Sequence, residues 1–211
     1  MSEGPAESGG WEVVGAKKQA KQAKQAAAAA AEAVASTIMF VCTSNTCRSP
    51  MAEAIGRRWL CRRAGLPDDG GAALAGAGVV VCSGGLLPDW EPHGSPASAN
   101  GATAMADPAR EGGGYDLSAH RSNLRTDEEL RQAARVYCVT GTHRDRILAR
   151  VEGIDAARVV TLGENVPDPW HQPLPQYVSA ADALGRLVPA VLERDWEAEL
   201  RPLFRAPPPS E

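Results

Sequence analysis

The run Cys42-Thr43-Ser44-Asn45-Thr46-Cys47-Arg48-Ser49 follows directly on the apolar stretch 37–41, and Ser49-Pro50 opens a segment of helical character. A buried strand, a tight polar loop and a helix start together restrict the chain to an α/β architecture with the loop at a strand's carboxyl end. Such a loop is an anion cradle. Backbone N–H groups at a helix N-terminus point at a bound anion, and the helix dipole favours its charge. Ser49 reads as the N-cap and Pro50 as the first helical residue.

A loop that attracts phosphate also favours a thiolate, so Cys42 should be nucleophilic at neutral pH. Arg48 supplies a planar fork for two phosphate oxygens. The Ser49 hydroxyl is placed to donate to the Cys42 sulfur.

The stretch 41–54, Val-Cys-Thr-Ser-Asn-Thr-Cys-Arg-Ser-Pro-Met-Ala-Glu-Ala, resembles the signature loop of the low-molecular-weight protein tyrosine phosphatases. Protein arginine phosphatases and thioredoxin-coupled arsenate reductases share that fold, and the resemblance spans roughly 37–192. It implies a Cys42 nucleophile, a phosphate cradle over 43–48, Asn45 holding the loop's shape, and a downstream general acid in an Asp-Pro-aromatic motif. Asp168-Pro169-Trp170 fits that motif. The acid must hold its proton when the leaving group departs and then activate the water that hydrolyses the intermediate.

Composition fits this reading. The chain has 211 residues, 22 basic and 26 acidic side chains and a net charge of −4, so nothing points to nucleic acid. No apolar stretch approaches the roughly 20 residues that span a membrane. Five cysteines, odd in number, suit a reducing compartment and hence the cytoplasm. No cofactor is expected, and His93, His120, His143 and His171 show no metal-ligand spacing.

Residues 1–36 form an expected flexible Lys/Ala-rich arm, whose Lys17, Lys18, Lys21 and Lys24 are available to contact a partner. The catalytic domain is expected over 37–205, and 206–211 form a Pro-rich tail. Strand-like and helix-like runs alternate within the domain. Strands are expected at 37–41, 79–82, 136–139 and 159–162, with helices over 50–63, 97–110, from Thr126, 144–151 and 179–200. Residues 70–78 read as a Gly/Ala-rich entry to the second strand. Right-handed crossovers make this a doubly wound, four-stranded parallel sheet with helices on both faces, and the family resemblance implies the order 2-1-3-4, which sets the Cys42 loop at the switch point.

The other cysteines differ in kind. The family implies that Cys47 guards an oxidised Cys42 by pairing with it; loop scaffolding is the alternative. Cys61, Cys82 and Cys138 read as packing residues. Residues 116–122 resemble a structural segment near the family's site, without a catalytic role for His120.

Substrate choice is divided between two phosphorylated side chains in proteins. Thr46 stands where arginine-directed members carry threonine and tyrosine-directed ones an aliphatic residue. A hydroxyl there suits a buried guanidinium. Asp89-Trp90 and the later Ser95-Pro96 resemble the aromatic wall of the eukaryotic tyrosine phosphatases, and Trp170 is available for the other wall, yet such walls also stack on guanidinium planes. Phosphoarginine is mildly favoured and phosphotyrosine is the alternative. Thr43, Ser44, Asn45, Thr46, Cys47, Ser49, Trp90 and Trp170 are the expected substrate-binding residues. An arsenate reductase would need a resolving cysteine pair in a mobile segment, and an inactive binding module would have lost Cys42, Arg48 or Asp168; both readings are weaker.

Overall fold

The computed structural model describes residues 35–88, 90–110 and 113–205. The expected arm, apart from Ala35 and Ser36, lies outside the described residues, as does the tail 206–211. The elements in chain order are β1 (Ser36–Cys42), α1 (Arg48–Arg63), α2 (Ala72–Gly76), β2 (Val79–Gly85) and α3 (Ala99–Ala106). They continue with α4 (Asp127–Gln132), β3 (Arg135–Cys138), α5 (Gly141–Arg150), β4 (Val159–Thr161) and α6 (Leu174–Asp195). All strands are parallel, in the order β2-β1-β3-β4.

Strand alternation divides the core into two layers. Ile38, Phe40 and Cys42 of β1 join Tyr137 and Val79 on one face, packed on Met51 and Ile55 of α1 and Leu184 and Val188 of α6. Met39, Val41, Val136 and Cys138 face the other way, against Leu130 of α4 and Ile147 of α5. α1 lies unusually close to the sheet at Gly56, where a Cβ would sit 2.6 Å from Phe40 Cζ. The register sets Cys42 opposite Gly85 and Val41 opposite Cys138. Cys42 therefore ends a central strand, with β2 and β3 on its two sides.

Several boundaries differ from the sequence expectation. α1 starts at Arg48, and Cys47, not Ser49, occupies the N-cap, without a side-chain cap. The Ser49 hydroxyl is drawn into the loop instead, toward Cys42 and Asn45. Residues 70–78 are not all loop: Asp69 accepts from Ala73 N and Leu74 is buried, which nucleates α2. β2 runs on to Gly85. At Gly84 Arg125 crosses so closely that a Cβ would meet its Cγ at 2.2 Å.

α3 is shorter than 97–110, because Pro108 disfavours helical backbone at Asp107, which is extended. α5 begins earlier than residue 144, capped by Thr140 and by the distant Asn165, whose Oδ1 accepts from Gly141 N at 2.8 Å. α6 starts at Leu174 because a proline in a first helical turn forfeits no hydrogen bond, and Pro175 lies there. It ends at Asp195 in a π-type turn, Trp196–Leu200. The Thr126 start is as expected: Thr126 and Glu129 form a reciprocal capping box.

Candidate active site

The loop after β1 is built around Asn45, which is fully buried and left-handed at φ 63°. Its Nδ2 donates to Ser49 Oγ at 2.9 Å and Ser83 Oγ at 2.8 Å, and its Oδ1 accepts from Asn123 N at 2.9 Å. His120 Nε2 donates to Asn45 O at 2.7 Å, so the segment expected to be structural holds the loop from outside. Ser83 Oγ in turn donates to Glu53 Oε2 at 2.6 Å. Because Ser49 Oγ accepts from Asn45, its single proton is left for Cys42 Sγ at 3.1 Å or Gly84 O at 3.4 Å. Among the described residues, no backbone carbonyl accepts from the N–H groups of Thr43 through Cys47. A curled loop with free N–H groups at a helix start is an anion nest.

Arg48 is buried beneath this loop. Its Nη1 donates to Val166 O at 3.2 Å and its Nη2 to Asp168 Oδ2 at 2.6 Å. Its Nε is buried without an acceptor. Asp168, half exposed, also accepts from Trp170 N through Oδ1 at 3.2 Å. The fold thus closes a separation of 120 residues between Arg48 and Asp168. A cleft of about 90 Å³ is lined by Cys42, Thr43, Ser44, Cys47, Arg48, Trp90, Asp168 and Trp170. Trp90 and Trp170 meet edge to face, with ring centroids 5.0 Å apart, and Trp170 Nε1 donates to Glu91 Oε1 at 3.2 Å. Asp89 lies outside the described residues.

Three residues expected to bind substrate do not line this cleft. Asn45 and Ser49 are buried within the loop's own network. Thr46 lines an adjoining groove with Glu91, Ser98, His171 and Tyr177. Its Oγ1 lies 3.1 Å from Ser44 Oγ, and Ser44 does line the cleft.

Cys47 shares the cleft with Cys42. Its sulfur lies 2.8 Å from Ser98 Oγ and 3.8 Å from Tyr177 OH. Burial pushes its thiol up, against these hydroxyl contacts and that of Thr46. Burial likewise raises Cys82 to about 11 and Cys138 to about 12, both within strands of the sheet. Cys61 is fully buried against the core. All three pack, as expected.

One residue of the site was not legible beforehand. His143, on the first turn of α5, reaches Thr43 Oγ1 with its Nε2 at 3.1 Å. The only sequence signal is position, since the residues following β3 must come beside the β1 loop in a 2-1-3-4 sheet.

A cysteine and a buried arginine on one anion-binding loop at the switch point, with a carboxylate beside them, define a phosphatase of the cysteine-loop class. The sequence model of the low molecular weight phosphotyrosine protein phosphatase family matches residues 37–198, and the chain belongs to that family. It is therefore a hydrolase of the family that acts on phosphorylated proteins. It is 32% identical over 165 residues to the protein-arginine-phosphatase of Geobacillus stearothermophilus, covering 74% of this chain and 94% of that protein. It is 28% identical over 162 residues to a probable low molecular weight protein-tyrosine-phosphatase, EpsP, of Ralstonia nicotianae, covering 75% and 94%. Among solved structures, the YwlE arginine phosphatase from Geobacillus stearothermophilus superposes with a TM-score of 0.58 at 29% identity, covering 75% of this chain and 92% of that one. The low molecular weight protein tyrosine phosphatase from T. tengcongensis gives 0.61 at 26%, covering 76% and 99%.

Proposed function

We propose that this chain hydrolyses phosphorylated side chains of proteins through a phosphate ester on Cys42, with phosphoarginine favoured over phosphotyrosine. The observation that carries the mechanism is the buried, acceptorless Arg48 Nε on a residue that lines the cleft with Cys42. A buried donor without a partner is unfavourable unless an anion completes it.

In this reading the Cys42 thiolate attacks phosphorus while Arg48 and the N–H groups of 43–48 hold the equatorial oxygens. Phosphate takes over donors of Arg48, so Asp168, released from that ion pair, takes up a proton from solvent and gives it to the departing nitrogen or oxygen. Asp168 then takes a proton from water, which attacks phosphorus. The Ser49 hydroxyl stabilises the thiolate that leaves. Cys47 is the nearby thiol that guards an oxidised Cys42. The catalytic unit is assigned to 37–205, flanked by a 1–36 arm whose lysines are available to a partner and a 206–211 tail, in the cytoplasm.

Thr46 supports the arginine reading, through the hydroxyl it presents to Ser44 at the cleft wall, and so does the identity to an arginine phosphatase. The Trp90–Trp170 wall keeps phosphotyrosine as a second reading, because aromatic faces stack on phenyl rings and guanidinium planes alike. The test is phosphate release from matched phosphoarginine and phosphotyrosine peptides by wild type and Thr46→Ile. A phosphoarginine preference that falls in Thr46→Ile supports the assignment. A phosphotyrosine preference indifferent to Thr46 replaces it.

A further inference from the structure

We propose that Thr140 and His143 form a chain of donors that turns the Thr43 hydroxyl proton into the phosphate cradle, making His143 a positioning residue for phosphoryl transfer. The proposal rests on the Cys42 mechanism above.

Thr43 follows the nucleophile and lines the cleft. Its Oγ1 lies 3.1 Å from His143 Nε2, and the other ring nitrogen, Nδ1, lies 2.5 Å from Thr140 Oγ1. Thr140 Oγ1 also accepts from His143 N at 3.3 Å, as the cap of α5. A hydroxyl carries one proton, and for Thr140 the acceptor at hand among the described residues is Nδ1. With Nδ1 accepting, the ring's proton sits on Nε2 and is donated to Thr43 Oγ1. The Thr43 proton then has no acceptor among the described residues, and the cleft is where it can find one.

The opposite sense of the chain is disfavoured twice. It would strand the Thr140 proton, and it would turn the lone pairs of Thr43 toward a bound anion. The ring must also be neutral for a single sense to hold. His143 is buried, and burial, with Arg48 and then Arg146 nearby, brings it down to about 4. Chained donors polarise one another, so a hydroxyl at the end of such a chain is a better donor to phosphate. Asn165, on the loop that also carries Val166 and Asp168, caps α5 at Gly141 and fixes where the chain begins.

The experiment is a double-mutant cycle with p-nitrophenyl phosphate, reading kcat and KM, alongside inhibition by inorganic phosphate and thermal unfolding. Thr43→Val and His143→Ala should each lower kcat/KM about tenfold or more, the worth of one hydrogen bond to a charged group. The double variant should be no worse than either single one, because both remove the same donor. His143→Gln, whose amide can donate at the Nε2 position, should recover most of the activity when Thr43 is present and none in Thr43→Val. Losses that multiply in the double variant, or a folded His143→Gln no better than His143→Ala, overturn the proposal. Cys42→Ser measured in parallel separates the two readings. Activity there defeats the cysteine mechanism, whereas an inactive Cys42→Ser with multiplying losses defeats only the donor chain.

Discussion

Asn45 concentrates more of the loop's geometry than any other side chain, so its replacement gives a sharp stability prediction. Alanine at this position removes three side-chain hydrogen bonds, to Ser49, Ser83 and Asn123 N, from a residue with no solvent exposure. At about 1 kcal/mol each, that is a loss of about 3 kcal/mol. The backbone stays left-handed at φ 63°, which adds about 1 kcal/mol for alanine over asparagine or glycine. Asn45→Ala should therefore lose about 4 kcal/mol and Asn45→Gly about 3 kcal/mol. For a domain of this size the alanine variant should melt about 8–16 °C lower. Urea unfolding followed by tryptophan fluorescence and far-UV circular dichroism measures both variants. A loss under about 1 kcal/mol for alanine, or a glycine variant less stable than the alanine one, refutes the reasoning.

Three further outcomes follow from the packing. His143 titrates near 4 in the native state against 6.5 unfolded, so as pH falls through 6.5 the unfolded state binds a proton first. The stability present above pH 6.5 should decline by about 3 kcal/mol toward pH 4, and His143→Gln should flatten that slope in chemical-denaturation series. Asp195 is buried and accepts from Arg135, Tyr137 and Arg194, so Asp195→Ala should cost about 3–5 kcal/mol by leaving Arg135 short of its partner. Unchanged stability there would mean that Glu199, 3.6 Å from Arg135, takes over the charge. Gly56→Ala should destabilise by about 1–3 kcal/mol, because its Cβ meets the Phe40 ring at 2.6 Å, with kcat of the folded fraction preserved. A silent Gly56→Ala would show that Phe40 has room to turn.

What the sequence made legible was local chemistry. The β1 loop and the Thr126 capping box rest on signals carried within a few residues (an apolar run, a Cys-to-Arg spacing, a Thr-to-Glu spacing), whereas the strand order was legible only through the family resemblance. Some of the displaced boundaries rest on local chemistry, at Pro108, Asp69 and Pro175, and others on distant partners. α5 opens at Gly141 because Asn165 accepts its N–H from another loop, and at the end of β2 Gly85 is held by backbone bonds to Asn123 O and from Arg125 N, far along the chain. Ser49 satisfies every local rule for an N-cap, yet its hydroxyl is taken by Cys42 and Asn45. The same limit hid His143 and the Glu53–Ser83 support of the loop, since neither contact leaves a spacing in the chain. Asp168 was found only because a motif stood in for the missing long-range information.

The central claim is that phosphate passes through Cys42. Rapid quenching of the Asp168→Asn variant with p-nitrophenyl phosphate, followed by mass spectrometry of the peptide carrying Cys42, tests it most directly. That substrate's leaving group needs little help from an acid, so the intermediate should form quickly and hydrolyse slowly. A phosphoryl group should appear on Cys42 within the first turnover, and Cys42→Ser should show no turnover. A burst of p-nitrophenol with Cys42 unmodified, or a Cys42→Ser variant that still turns over, contradicts it.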